Sequence, residues 1–107
     1  MARVRLIDDD EEQVEVRRLI LERAGHCVVE SGFEAVVMDL HMPFLDDGLR
    51  MIRELAGSGA RICVLSGFVE DLRGTLEEGM VHKVLAKPVR TEVLLRWLSE
   101  GDPTRHT

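Results

Sequence analysis

The chain has 107 residues, 45% of them hydrophobic, which is enough for one core and too few for two domains. Twenty acidic residues against 14 basic give a formal charge of -6, with no Lys/Arg-rich block, so nucleic-acid binding through a basic patch is disfavoured and a pocket for a cation fits better. The apolar runs fall short of the roughly 20 residues that a membrane span needs, and the amino terminus lacks a signal-peptide pattern, so the protein is read as soluble and cytoplasmic.

In chain order, five short apolar runs have the length and composition of strands: RVRLI (3–7), HCVVE (26–30), EAVVMD (34–39), RICVLS (61–66) and KVLAKP (83–88). Between them, apolar residues recur at helical spacing. Val16, Leu19, Ile20 and Ala24 predict a first helix, and Leu49, Ile52, Leu55 and Ala56 a second. Val69, Leu72 and Leu76 predict a third, and Val93, Leu94, Trp97 and Leu98 a fourth, with Trp97 read as packing rather than as a partner contact. Gly25, Gly57, Gly79 and Gly101 stand where these helices should close. Alternating strands and helices imply an α/β, doubly wound, mostly parallel sheet of five strands. Residues 1–100 form this domain, and GDPTRHT (101–107), which lacks apolar side chains, is expected to be a flexible tail.

One connection is too short for the pattern. HCVVE and EAVVMD are separated by little more than Ser31, Gly32 and Phe33, whereas a parallel crossover ordinarily takes a dozen residues or more. A strap recrossing the sheet, a hairpin on SGF with one antiparallel strand, and exchange of a strand with a second chain all satisfy the spacing. The absent helix is expected to bare an apolar sheet face, which Phe33, a second copy or a partner would cover. Cys27 and Cys63 lie in apolar runs without CxxC spacing and are read as buried, reduced thiols.

The strand ends carry the chemistry. In an open parallel sheet, ligands bind beyond the carboxyl ends of the strands. The first strand runs into Asp8, Asp9 and Asp10, the third ends on Asp39, the fourth on Ser66-Gly67 and the fifth on Lys87-Pro88. Carboxylates gathered this closely repel one another unless a cation spreads their charge, and an all-oxygen set suits Mg²⁺ with coordination positions left for phosphate oxygens. Ser66 and Lys87 add a hydroxyl and a compact positive charge suited to a phosphoryl group. Asp10, Glu11 and Glu12 are better explained as acids opening a helix, complementing its dipole. His26, His41 and His82 have no metal-ligand spacing and are read as ordinary surface or loop histidines.

LIDDD, VVMDLHMP, VLSG and LAKP, in that order and each at a strand end, resemble the response-regulator receiver domain of two-component signalling across nearly the whole chain. The resemblance implies a flavodoxin-like fold with strand order 2-1-3-4-5, here with helix 2 missing. It implies Asp39 as phospho-acceptor, Ser66 and Lys87 as the hydroxyl and charge partner, and Asp8, Asp9, Asp39 and the backbone carbonyl of His41 as Mg²⁺ ligands. It also implies a cis Lys87-Pro88 peptide, and as partner a histidine kinase or phosphotransfer protein in a phosphorelay. The domain would then be a signalling phosphoprotein and not a multiple-turnover enzyme, with neither nucleic acid nor membrane as its target. Two departures stand out. Val84 occupies the position where receivers place a mobile aromatic, and Gly67 replaces a slightly larger residue beside the site.

A degenerate receiver that docks or dimerises through the face of the missing helix, independently of phosphorylation, is the alternative. More remotely, Asp8-x-Asp10 with Ser66 and Lys87 loosely matches haloacid-dehalogenase phosphatases. Glu11 and Glu12 stand where that family expects Gly-Thr-like residues, and the chain has no room for a cap domain.

Overall fold

The structure, a computed structural model, describes residues 1–100, and the expected tail lies outside the described residues. Strands β1 (Arg3–Ile7), β2 (Cys27–Val28), β3 (Ala35–Asp39), β4 (Arg61–Ser66) and β5 (Lys83–Ala86) form one sheet in the order β2-β1-β3-β4-β5. All four pairings are parallel. Helices α1 (Glu11–Arg23) and α3 (Thr91–Glu100) cover one face, and α2 (Leu45–Ala56) covers the other.

Strand alternation divides the core in two. Val4, Val37, Cys63 and Leu65 point to α1 and α3, where Leu21, Leu94, Trp97 and Leu98 meet them. Val36, Met38, Ile62 and Val64 point the other way, against Ile52 and Leu55 of α2. Arg61 ties the first layer down: its guanidinium lies 4.3 Å from the Trp97 ring centroid and donates to the carbonyls of Trp97 and Leu98 at 3.1 and 3.3 Å. A cation there also complements the negative end of the α3 dipole.

Three sequence expectations change. The third helix is replaced by two short 3-10 helices, Val69–Leu72 and Leu76–Met80, separated by Gly74 at φ 79°. A left-handed residue between them ends one turn before the next begins, so no continuous helix forms. The buried Glu77 of the second, joined to Arg53 of α2, fastens this segment to the fold. Helix α1 turns inward a stripe that only partly overlaps the one expected: Val16, Leu19 and Ala24 are exposed and Ile20 is half-buried, while Leu21 is buried with Val14 and Arg17 half-buried beside it. Of the glycines assigned to helix ends, Gly25 has the left-handed conformation, φ 92°, but Gly57 is right-handed and Gly79 falls inside the second 3-10 helix.

The short link is a strap. Because β2 and β3 flank β1 on opposite sides and run parallel to it, residues 29–34 must recross β1. The Val29 and Glu34 amides donate to the Val4 and Arg3 carbonyls, each at 2.9 Å, and the Glu34 carboxylate accepts from the Arg3 amide at 2.8 Å. Phe33 packs into the α2-side core, with the Arg5 guanidinium 5.6 Å from its ring centroid. The face left by the absent helix is therefore not the purely apolar one expected: beside Phe33, β1 presents the exposed Arg3 and the half-buried Arg5 there. Of the two thiols only Cys63 is buried, and Cys27 is exposed on the short edge strand.

Among the described residues, no helix is long and apolar enough to cross a membrane.

Candidate functional site

At the carboxyl end of β1 the chain leaves the sheet and starts α1 at once. Asp10 is the N-cap: its carboxylate accepts the amides of Glu12 and Gln13 at 3.0 and 3.3 Å, and Glu11 and Glu12 fill the first turn. This cap fixes the turn that carries Asp8 and Asp9. At the end of β3, Asp39 is buried, and Leu40 continues into a loop held by its amide bond to the Leu65 carbonyl at 3.0 Å. That loop re-enters helix at α2 with Gly48 so close that a Cβ there would lie 1.7 Å from the Leu40 carbonyl oxygen. Only glycine permits this approach, so Gly48 sets how near α2 comes to the acidic end of the sheet.

Asp8, Asp9 and Asp39 converge, each offering a carboxylate oxygen within 4.8 Å of the others. Lys87, entering from the end of β5, places Nζ 3.0 Å from Asp39 Oδ2. The Lys87-Pro88 peptide is cis, as the resemblance implies, and so is Met42-Pro43, which the sequence reading did not anticipate. Ser66 ends β4 fully buried, next to Ala86 in register, and its backbone carbonyl accepts the Lys87 amide at 2.9 Å. The Ser66 hydroxyl donates to the Phe68 carbonyl at 2.9 Å and accepts from the Phe68 amide at 3.0 Å, which holds it in its own loop. His41, two residues past Asp39, sets its side chain 3.2 Å from Asp71 on the first 3-10 helix and so bridges the loops after β3 and β4.

The sequence reading missed Arg17. Its NH1 donates to Asp8 Oδ2 at 2.9 Å, while Asp8 Oδ1 accepts the Asp10 amide at 2.9 Å. Both side chains of this ion pair are nearly shut off from water, at 14% and 3% exposure. The signal in the sequence is the stripe Val14, Arg17, Leu21, spaced three and four apart, which places an arginine on an inward face close behind the acids.

The donor set suits a hard divalent cation: three carboxylates within reach of one another, Asp9 exposed to solvent, Asp8 half-buried and Asp39 buried. His26 and His82 take no part in the site. Each accepts a backbone amide on Nδ1 at 2.9 Å, from Ala2 and Ile62 respectively, which makes them fixtures of the opposite end of the sheet. The buried position of His26 departs from the surface placement expected for it. The Cys63 thiol, pushed from 9.0 up to about 12 by burial, is held inert on the α1 face.

No family model matches the chain. It is 34% identical, over 92% of its length, to the sensory/regulatory protein RpfC of Xanthomonas campestris pv. campestris, of which it spans only 16%. Among solved structures, it superposes on the response regulator protein TrrA of Thermotoga maritima, in complex with Mg²⁺-BeF, with TM-score 0.78. That likeness has 18% identity and covers 94% of this chain and 98% of the other. A response regulator from Burkholderia pseudomallei, with a phosphorylated aspartic acid, a calcium ion and citrate, is 28% identical with TM-score 0.76, over 92% of this chain and 66% of that one. A CheY-like receiver domain from Methylobacillus flagellatus gives 0.75 at 24% identity, covering 94% and 98%. The chain has the fold of the response-regulator receiver domains, in a form in which a strap over β1 stands in place of the second helix.

Proposed function

We propose that this receiver accepts a phosphoryl group on Asp39 from the phosphohistidine of a histidine kinase or phosphotransfer protein and signals by protein contact. The observation that carries this reading is the buried Asp39 carboxylate, 3.0 Å from the Lys87 ammonium and clustered with Asp8 and Asp9. Lys87 holds one Asp39 oxygen and orients the group so that the other can attack phosphorus in line with the departing imidazole. The O–P bond forms as the P–N bond breaks, the imidazole leaves with the bonding electron pair, and water later hydrolyses the acyl phosphate. The Lys87 ammonium then neutralises charge on the transferred oxygens. Mg²⁺, held by Asp8, Asp9, Asp39 and the His41 carbonyl, would supply further electrostatic stabilisation of the phosphoryl oxygens. A phosphorylated aspartic acid with calcium in the Burkholderia relative, and Mg²⁺-BeF in the Thermotoga one, support both parts of the reading.

The test is transfer from a small phosphodonor such as acetyl phosphate, followed by mass spectrometry. Wild-type protein should be labelled only with Mg²⁺, and Asp39→Asn not at all; labelling of Asp39→Asn to the wild-type extent refutes the assignment.

A second reading rests on Val84, which packs half-buried into the α2-side core and gives the site no rotating aromatic ring to report its state. In this reading the domain docks, or forms a homodimer, equally well with or without a phosphoryl group. Partner or self-affinity unchanged by beryllofluoride separates it from the first.

A further inference from the structure

Receivers need their acidic pair for a cation, yet in this chain Asp8 is already engaged. One of its oxygens accepts the Asp10 amide and the other the Arg17 guanidinium, both at 2.9 Å, and its side chain is 3% exposed. Arg17 reaches it from the inward stripe of α1, between Val14 and Leu21, where an apolar residue would satisfy the core. A guanidinium keeps its charge at any pH the fold survives, so it does not withdraw by deprotonation. The acidic cluster thus faces two built-in cations, Arg17 on Asp8 and Lys87 on Asp39, and only the exposed Asp9 of the three carries no side-chain cation.

From this arrangement we infer that Arg17 is a positioning residue that competes with the divalent cation for Asp8 and thereby sets the cation affinity of the unphosphorylated domain low. The inference rests on the phosphoryl-acceptor reading only for where the cation sits. An ion entering beside Asp9 and Asp39 meets an Asp8 whose lone pairs are directed at Arg17, and a fixed positive charge lies one carboxylate away. Phosphorylation adds roughly one negative charge to the cluster and offsets the repulsion from Arg17. Loading with the cation is thereby tied to the phosphoryl group.

The experiment titrates Mn²⁺, a hard-oxygen probe, into the full chain without any phosphodonor and reads bound ion by electron paramagnetic resonance. Competition predicts that Arg17→Gln binds Mn²⁺ about tenfold more tightly than wild type, and that Asp8→Asn added to Arg17→Gln removes the gain. A structural role for Arg17 predicts the opposite sign, because a loosened site binds more weakly. Equal or weaker binding by Arg17→Gln, or a gain that survives Asp8→Asn, overturns the inference. Should Arg17→Gln not fold, Asp8→Asn alone decides: competition predicts a loss below about threefold because Asp8 is already occupied, and any larger loss refutes it. Because no phosphodonor is present, failure of labelling at Asp39 would leave these outcomes unchanged.

Discussion

Lys87 Nζ sits 3.0 Å from Asp39 Oδ2, joining residues 48 apart in the sequence across the carboxyl ends of β3 and β5. The bond pairs the buried acid of a cluster that also holds Asp8 and Asp9, so it matters to the resting fold. Replacing Lys87 by Met strands the buried Asp39 beside Asp8 and Asp9. The lysine is 38% exposed, which tempers the effect, and a loss of about 1–2 kcal/mol in urea unfolding is expected. Phosphoryl transfer from a small donor should fall by at least about tenfold, and Mg²⁺ should recover part of the lost stability. A variant as stable as wild type and as readily labelled would remove Lys87 from the site.

The acids and the lysine were legible in the sequence because strand ends in an open parallel sheet converge by topology, so residue type at four positions located the pocket. Arg17 was not, because a reading that seeks apolar stripes passes over an arginine facing inward and selects the exposed Val16 and Leu19 instead. Only the proximity of Asp8 explains why a charge sits there. The missing helix was visible as a spacing too short for a crossover, but the choice among strap, hairpin and exchange depends on hydrogen bonds such as Glu34 to Arg3, which no local pattern encodes. The two 3-10 helices had the same origin: Val69, Leu72 and Leu76 are spaced as a helix, and Gly74 breaks them.

Gly48→Ala tests the close approach of α2. Its new Cβ would fall 1.7 Å from the Leu40 carbonyl oxygen, which backbone cannot yield without displacing the loop after Asp39. A destabilisation above about 3 kcal/mol, or failure to fold, is expected by chemical denaturation. Gly79→Ala, with nothing near its Cβ, serves as the matched control and should change stability by less than about 1 kcal/mol.

Alkaline unfolding should report Cys63. Its thiol ionises near 9.0 in an open chain and near 12 when buried, so between those values the unfolded state has lost a proton that the folded state retains. Stability therefore declines as pH rises through this window, by up to roughly 4 kcal/mol at about 1.4 kcal/mol per unit. Cys63→Val fills a similar volume and should flatten that decline. Below pH 9, a thiol reagent should modify the exposed Cys27 rapidly and Cys63 only at the rate of unfolding.

Phe33→Ala removes the side chain that seats the strap on the α2-side core and stacks near Arg5. Phe33 is half-buried, so a loss of about 1–3 kcal/mol is expected. Amide exchange should accelerate first at Val29 and Glu34, whose hydrogen bonds to β1 anchor the two ends of the strap. Uniform acceleration across the sheet would show instead that the strap does not open independently.

The outermost strand, β2, pairs through only Cys27 and Val28 before the chain turns away over β1. Its free side consequently exposes too few main-chain donors and acceptors to template a foreign strand. Here the abbreviated margin itself is the safeguard.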